Sequence, residues 1–153
     1  MAKVMLICGK VCCGKTTYTK QLQAKGAVLL SSDELMRLLF DEYLGDRHDE
    51  VAARVNGYLL DKSLEILRAG TDVVLDWGFW TKAGREEVLA FYKERGCTAE
   101  LHYLDIDDET WRQRIEKRNA NRGPYDYYVD DGLREKCLSR FEPPETAAVW
   151  VKV

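Results

Sequence analysis

The stretch CGKVCCGKTT at residues 8–17 carries two possible chemistries. Thiols at Cys8, Cys12 and Cys13 suggest a soft-metal or redox site. The glycines and lysines between them suggest a phosphate cradle. The thiols lack CxxC-type spacing, and the only histidines, His48 and His102, lie far along the chain, so no fourth metal ligand stands near. By contrast, Gly9-Lys10-Val11-Cys12-Cys13-Gly14-Lys15-Thr16 fits G-x-x-x-x-G-K-[ST] at every fixed position. Phosphate oxygens need several backbone N–H donors aimed inward, and only a loop with little side-chain bulk wraps them closely. The positive end of a following helix adds to that field. The amides of Gly9, Cys12, Cys13, Gly14, Lys15, Thr16 and Thr17 would then cradle the phosphates of ATP. Lys15 would reach the β- and γ-phosphates, and the Thr16 hydroxyl would ligate Mg²⁺. Cys12 and Cys13 fill free positions of the pattern as small side chains. Because a helix N-terminus lowers a thiol pKa, a redox-sensitive loop is their other reading.

Three further clusters could serve such a phosphate. In SSDELMR, Asp33 follows an apolar run and could accept a proton from a hydroxyl lined up on the γ-phosphate. Arg37, one turn on, could hold the acceptor; alternatively Asp33 or Ser32 merely caps a helix. In VVLDWGFW, Asp76 ends an apolar run and is placed to hold Mg²⁺ as a Walker-B-type carboxylate. Trp77, Phe79 and Trp80 follow; they could line an acceptor pocket, stack on a base or pack the core. In DDETWRQRIEKRNANRG, Arg114, Arg118 and Arg122 recur at i, i+4 and i+8, with Arg112 and Lys117 nearby. Like charges at that spacing disfavour a bare helix, but suit a lid that lowers arginines onto transferring phosphates.

These residues need elements to hold them. KVMLIC (3–8) is a continuous apolar run, as a strand buried on both faces requires. The spacing predicts further strands at 27–32, 72–76, 99–105 and 147–153, and helices at 15–25, from 33 through Tyr43, and at 49–69, 82–95, 108–121 and 130–141. Strands alternating with helices imply βαβ units and a parallel sheet covered on both faces, with ligands beyond the carboxyl ends of the strands.

Composition bounds the answer. With 153 residues, one domain is expected, with residues 107–141 as its lid. No apolar run approaches the ~20 residues of a membrane span, and the N-terminus does not read as a signal peptide. Five cysteines without framework spacing suit reduced thiols in the cytoplasm. The net charge of −3 argues against a duplex-binding surface, so a small hydroxyl-bearing acceptor is favoured over nucleic acid. Guanine-recognition motifs of the N-K-x-D type are absent, and the chain is short for the larger motor or AAA+ modules.

At KRNANRG (117–123) a family resemblance becomes specific. The run resembles the lid segment of phage polynucleotide 5′-hydroxyl kinase domains, in which two arginines bind phosphate; the match falls on Arg118 and Arg122. SSDELMR resembles that family's segment with a general-base aspartate and a substrate arginine, matching Asp33 and Arg37. LDWGFW followed by Arg85 resembles its Asp-bearing third strand and puts Arg85 toward the substrate. The wider group includes zeta-toxin-like and chloramphenicol phosphotransferase-like kinases. The resemblance implies a P-loop NTPase fold, a three-layer α/β/α sandwich with a five-stranded parallel sheet in order 2-3-1-4-5. It also implies ATP as donor and Mg²⁺ as cofactor. The chain departs from the family in its P-loop, GKVCCGKT, in the four-residue step from Asp33 to Arg37, and in Trp-Gly after Asp76.

The residues together suggest an ATP-dependent phosphotransferase with a hydroxyl acceptor. Two alternatives stand: a polynucleotide 5′-end as acceptor, and a non-catalytic nucleotide switch or partner-binding ATPase in which Asp33 is only a cap.

Overall fold

Where a run has no polar alternation, both its faces must be covered. In the computed structural model, which describes residues 1–40, 44–123 and 128–153, the run at 3–8 is β1 (Lys3–Cys8). Val4 through Cys8 are each at most 3% exposed. Four strands join it: β2 (Val28–Leu30), β3 (Val73–Gly78), β4 (Thr98–Asp105) and β5 (Val149–Lys152). All pair in parallel, in the order β2-β3-β1-β4-β5 that the resemblance implies.

The connections are helical: α1 (Lys15–Ala24), α2 (Ser32–Leu39), α3 (His48–Arg68), α4 (Lys82–Glu94), α5 (Asp108–Ala120) and α6 (Asp131–Arg140). Successive residues of β1 point to opposite layers. Val4, Leu6 and Cys8 pack with Leu60 and Leu64 of α3 and with Val88 and Tyr92 of α4. Met5 and Ile7 pack with Leu22 of α1, Trp111 and Ile115 of α5 and Cys137 of α6. The result is a three-layer α/β/α sandwich.

Buried polar pairs fix the helices on the sheet. Ser63 donates to the Leu60 carbonyl at 2.6 Å, so the Tyr92 hydroxyl, 2.7 Å away, is the donor to Ser63 and ties α4 to α3. On the other face, His102 of β4 is 3% exposed and bonds Tyr18 of α1 at 2.7 Å and Glu100 at 2.9 Å. That bridge holds the helix that begins with Lys15 and Thr16.

Several boundaries differ from expectation. β2 stops at Leu30 because Ser31 is already the N-cap of α2; its hydroxyl accepts from the Glu34 N–H at 3.2 Å. Neither Ser32 nor Asp33 is the cap. α2 ends at Leu39, and the rest of its predicted span, 41–43, lies outside the described residues. α5 ends at Ala120, so Arg122 follows the helix instead of extending its arginine stripe. The segment 124–127 also lies outside the described residues.

Leu6 is fully buried at the centre of the sheet. Leu6→Ala should cost ~2–5 kcal/mol in urea unfolding. Leu38→Ala, at a site 60% exposed, should stay within about 0.5 kcal/mol. Equal losses at the two sites would contradict this placement of the core.

Candidate functional site

The loop between β1 and α1 lies at the carboxyl end of the central strand, where a parallel sheet presents its ligand site. Cys12 takes a positive φ of 58°, and Gly14, the cap of α1, a φ of 102°. Left-handed backbone at a non-glycine residue costs about 1–3 kcal/mol and persists where the surroundings enforce it. A Cβ on Gly9 would collide with Cys13 Sγ, and one on Gly14 would lie 2.5 Å from Arg114 Nη1. Gly9 is held by that close approach to the buried Cys13 thiol, and Gly14 by its left-handed backbone, since the Arg114 guanidinium is the movable end of its side chain. The Lys15 ammonium donates to the carbonyls of Gly9 (3.1 Å) and Lys10 (2.9 Å). Thr16 and Thr17 are exposed in the first turn of α1.

On the β3 side, Asp76 is partly buried. Burial pushes its carboxyl above the usual range; the Ser31 hydroxyl draws it down, Asp33 raises it and Lys15 lowers it. Four groups from three segments thus share one electrostatic neighbourhood. Asp33 is exposed in the first turn of α2, and Arg37, one turn later, is partly buried.

Trp77 donates its indole N–H to the Leu30 carbonyl at 2.9 Å and stacks on Phe79, with ring centroids 5.7 Å apart. Trp80 donates to the Gly9 carbonyl at 3.2 Å. All three rings pack against the core, as the third reading of these aromatics expects. The turn that delivers them has positive φ at Gly78 (80°) and Phe79 (48°). Arg85 holds that turn. It is 5% exposed and donates to the carbonyls of Phe79 (2.9 Å) and Trp80 (3.3 Å). Arg85 is thus buried behind the strand end, where it holds the turn.

From the other side comes α5. Arg114 donates to the Cys13 carbonyl at 3.3 Å, and Arg118 to Cys12 Sγ at 2.9 Å. Two of the stripe's arginines thus lie on the P-loop. Arg122 lies over the Tyr128 ring at 5.6 Å. The thiol expectation is corrected at Cys13. Burial raises its pKa, and Lys15, acting the other way, does not overcome it. Cys8 is pushed up to about 11, also by burial.

Three contributors escaped the sequence. Ser31 looked like a strand residue. Lys10 was a free pattern position, yet its ammonium sits 4.9 Å from the Trp111 ring centroid. Trp111 itself is 3% exposed and donates to the Val11 carbonyl at 2.6 Å; its only signal was a lone large aromatic on a highly charged helix.

Fold and loop together define a P-loop kinase-like α/β protein. Residues 4–144 match the AAA_33 family, described as AAA domain, and the chain belongs to that family. Over 154 residues and 96% of the chain, it is 26% identical to protein KTI12 homolog of Arabidopsis thaliana. The chain spans about half, 49%, of that curated relative's length. Among solved structures, a candidate kinase from Chloroflexus aurantiacus superposes with a TM-score of 0.70 at 21% identity, covering 99% of this chain and 87% of that one. Kti12 of Chaetomium thermophilum in complex with ADP-AlF3 gives 0.68 at 18%, covering 98% and 88%. The APS kinase of Mycobacterium tuberculosis in complex with AMPPNP and APS gives 0.66 at 15%, covering 99% and 88%. At these identities the structural likeness concerns the fold. Among the described residues, no helix is long and apolar enough to cross a membrane.

A carboxyl raised in the folded state favours folding below its unfolded value and loses that contribution as pH rises through the folded value. Asp76 is raised from 3.8. In metal-free buffer, Asp76→Asn should therefore melt a few degrees above the parent at pH 7, and the gain should shrink toward pH 4. A gain that does not change with pH would contradict the assignment of this buried charge.

Proposed function

We propose that this chain is an ATP- and Mg²⁺-dependent phosphotransferase that moves the γ-phosphate to a hydroxyl of a small or nucleoside-like molecule. One observation carries it. Lys15, Asp76, Ser31 and Asp33 meet at the strand ends, while Arg114 and Arg118 reach the same loop from the opposite side. Two carboxylates on one side of the loop and two guanidiniums on the other give the charge pattern that a phosphate chain with its cation would take.

In this reading the chain is one kinase domain, with α5 and α6 (within residues 107–141) as its lid. The amides from Gly9 to Thr17 and the Lys15 ammonium bind the phosphates. The Thr16 hydroxyl and the Asp76 carboxylate are hard oxygen donors of the kind Mg²⁺ selects, and a cation there offsets the repulsion between Asp76 and Asp33. When bound, Mg²⁺ neutralises charge on the β- and γ-phosphates. Asp33 accepts the acceptor hydroxyl's proton as that oxygen bonds to the γ-phosphorus and the bond to the ADP oxygen breaks. Arg37 orients the acceptor. Arg114 and Arg118 stabilise the transferring group, a pair of roles the resemblance gave to Arg118 and Arg122.

The acceptor side carries Asp33 and Arg37, while Trp77 is stacked on Phe79 and the indoles of Trp77 and Trp80 both pack against the core. That favours a polar small molecule over a polynucleotide end that needs stacking platforms. Free thiols at all five cysteines suit a reducing compartment such as the cytoplasm. A second reading, an ATPase or nucleotide switch with water as acceptor, is supported by the likeness to the KTI12 homolog.

Labelled γ-phosphate from Mg-ATP should be offered to nucleosides, sugars, aminoglycosides, chloramphenicol and a 5′-hydroxyl oligonucleotide, with Asp33→Asn alongside. We expect label on one acceptor, ATP affinity within about twofold in the variant, and transfer reduced on the order of 10²-fold or more. Undiminished transfer in Asp33→Asn would remove Asp33 from the chemistry. Release of free phosphate with no labelled acceptor would establish the second reading.

A further inference from the structure

Trp111, Arg114 and Arg118 stand at i, i+3 and i+7 of α5, on one face. Their donors go to three consecutive loop residues: Trp111 to the Val11 carbonyl at 2.6 Å, Arg118 to Cys12 Sγ at 2.9 Å and Arg114 to the Cys13 carbonyl at 3.3 Å. The three contacts differ in kind. The two arginines bond a weak thiol acceptor and a more distant carbonyl, both readily exchanged for phosphate oxygens, which are far better partners for a guanidinium. Trp111 is 3% exposed, packed in one cluster with Ile7, Leu104, Ile115 and Cys137. Its N–H has no role toward a phosphate. The loop also holds the same indole from a second side. Lys10 Nζ lies 4.9 Å from the ring centroid and 3.7 Å from Asp108 Oδ1, in the first residue of α5.

We infer that Trp111 is a positioning residue: its bond to Val11 is the fixed pivot that sets where Arg114 and Arg118 stand over the transferring phosphoryl group. This rests on the reading above that those arginines meet the phosphates. A slip of α5 by one residue would move the guanidiniums about 1.5 Å along the helix axis. Displacements of about 1 Å suffice to cost 10²-fold in rate where catalysis is positioning. Trp80 supplies a contrast, because it also bonds a loop carbonyl but sits in the β3–α4 turn, which carries no lid arginine.

The test uses the full chain with β-(3-benzothienyl)alanine at position 111, which keeps the ring shape and removes the donor, and Trp111→Phe as a second variant. Circular dichroism checks the fold, calorimetry gives Mg-ATP affinity, and steady-state assays give kcat and KM. With the donor removed, we expect affinity within about twofold and kcat reduced roughly tenfold. Combined with Arg118→Ala, the loss should fall well short of the product of the two single losses, because only Arg114 is then left to misplace, whereas Trp80→Phe and Arg118→Ala should multiply. A merely structural indole would lower the melting temperature and leave kcat of the folded protein intact. That result, or multiplicative losses for Trp111 and Arg118, would overturn the proposal. If the parent binds Mg-ATP but transfers phosphate to no acceptor or water, the phosphotransferase reading has failed, not the pivot. The same cycle is then read in affinity for ADP with aluminium fluoride. Non-additivity of Trp111 and Arg118 there supports the pivot, and additivity overturns it.

Discussion

A loop that turns its N–H groups inward onto phosphate must turn its carbonyls elsewhere, and each buried carbonyl needs a donor. Here some donors belong to the loop itself and three come from distant segments. Gly9 is served by Lys15 and Trp80, Lys10 by Lys15 and the Cys13 N–H, Val11 by Trp111, and Cys13 by Arg114. The eight-residue motif is therefore incomplete as a structure by itself. Its shape depends on the turn after β3 and on a helix a hundred residues away.

The same constraint explains the strained and buried polar features around it. Trp80 reaches Gly9 only because the chain reverses sharply at Gly78 and Phe79, both at positive φ. That reversal exposes carbonyls of its own, and the buried guanidinium of Arg85 satisfies them. Asp76 is held in the adjoining strand with its carboxyl pushed up by burial, a stability cost typical of groups retained for function. Lys10 and Trp111 close the opposite wall. The loop is thus built between two indoles, one on each side, and the arginines of α5 arrive with the second.

Periodicity and the phosphate motif were enough to read the five strands, the six helices and the loop, because both depend on local spacing. The element ends were less legible where a single side chain decides them, as with the Ser31 hydroxyl that starts α2 and shortens β2. The helix stops at Ala120, one residue before its expected end, so Arg122 lies beyond it and the i, i+8 spacing does not place it on the face of Arg114 and Arg118. The aromatic run after Asp76 left pocket, stacking and core readings open, since residue type cannot reveal that each indole N–H has a backbone partner. Arg85 and Trp111 were opaque for the same reason: their partners lie in a turn and a loop whose carbonyl directions emerge only in three dimensions.

The most direct test of the central claim is a crystal structure with ADP, aluminium fluoride and Mg²⁺. The account predicts nucleotide phosphates in the loop from Gly9 to Thr17 and Lys15 moved from the Gly9 and Lys10 carbonyls onto them. It also predicts Arg114 and Arg118 on the fluoride, with Asp33 facing its open side. Nucleotide bound elsewhere, or bound with both arginines still on Cys12 and Cys13, would contradict it.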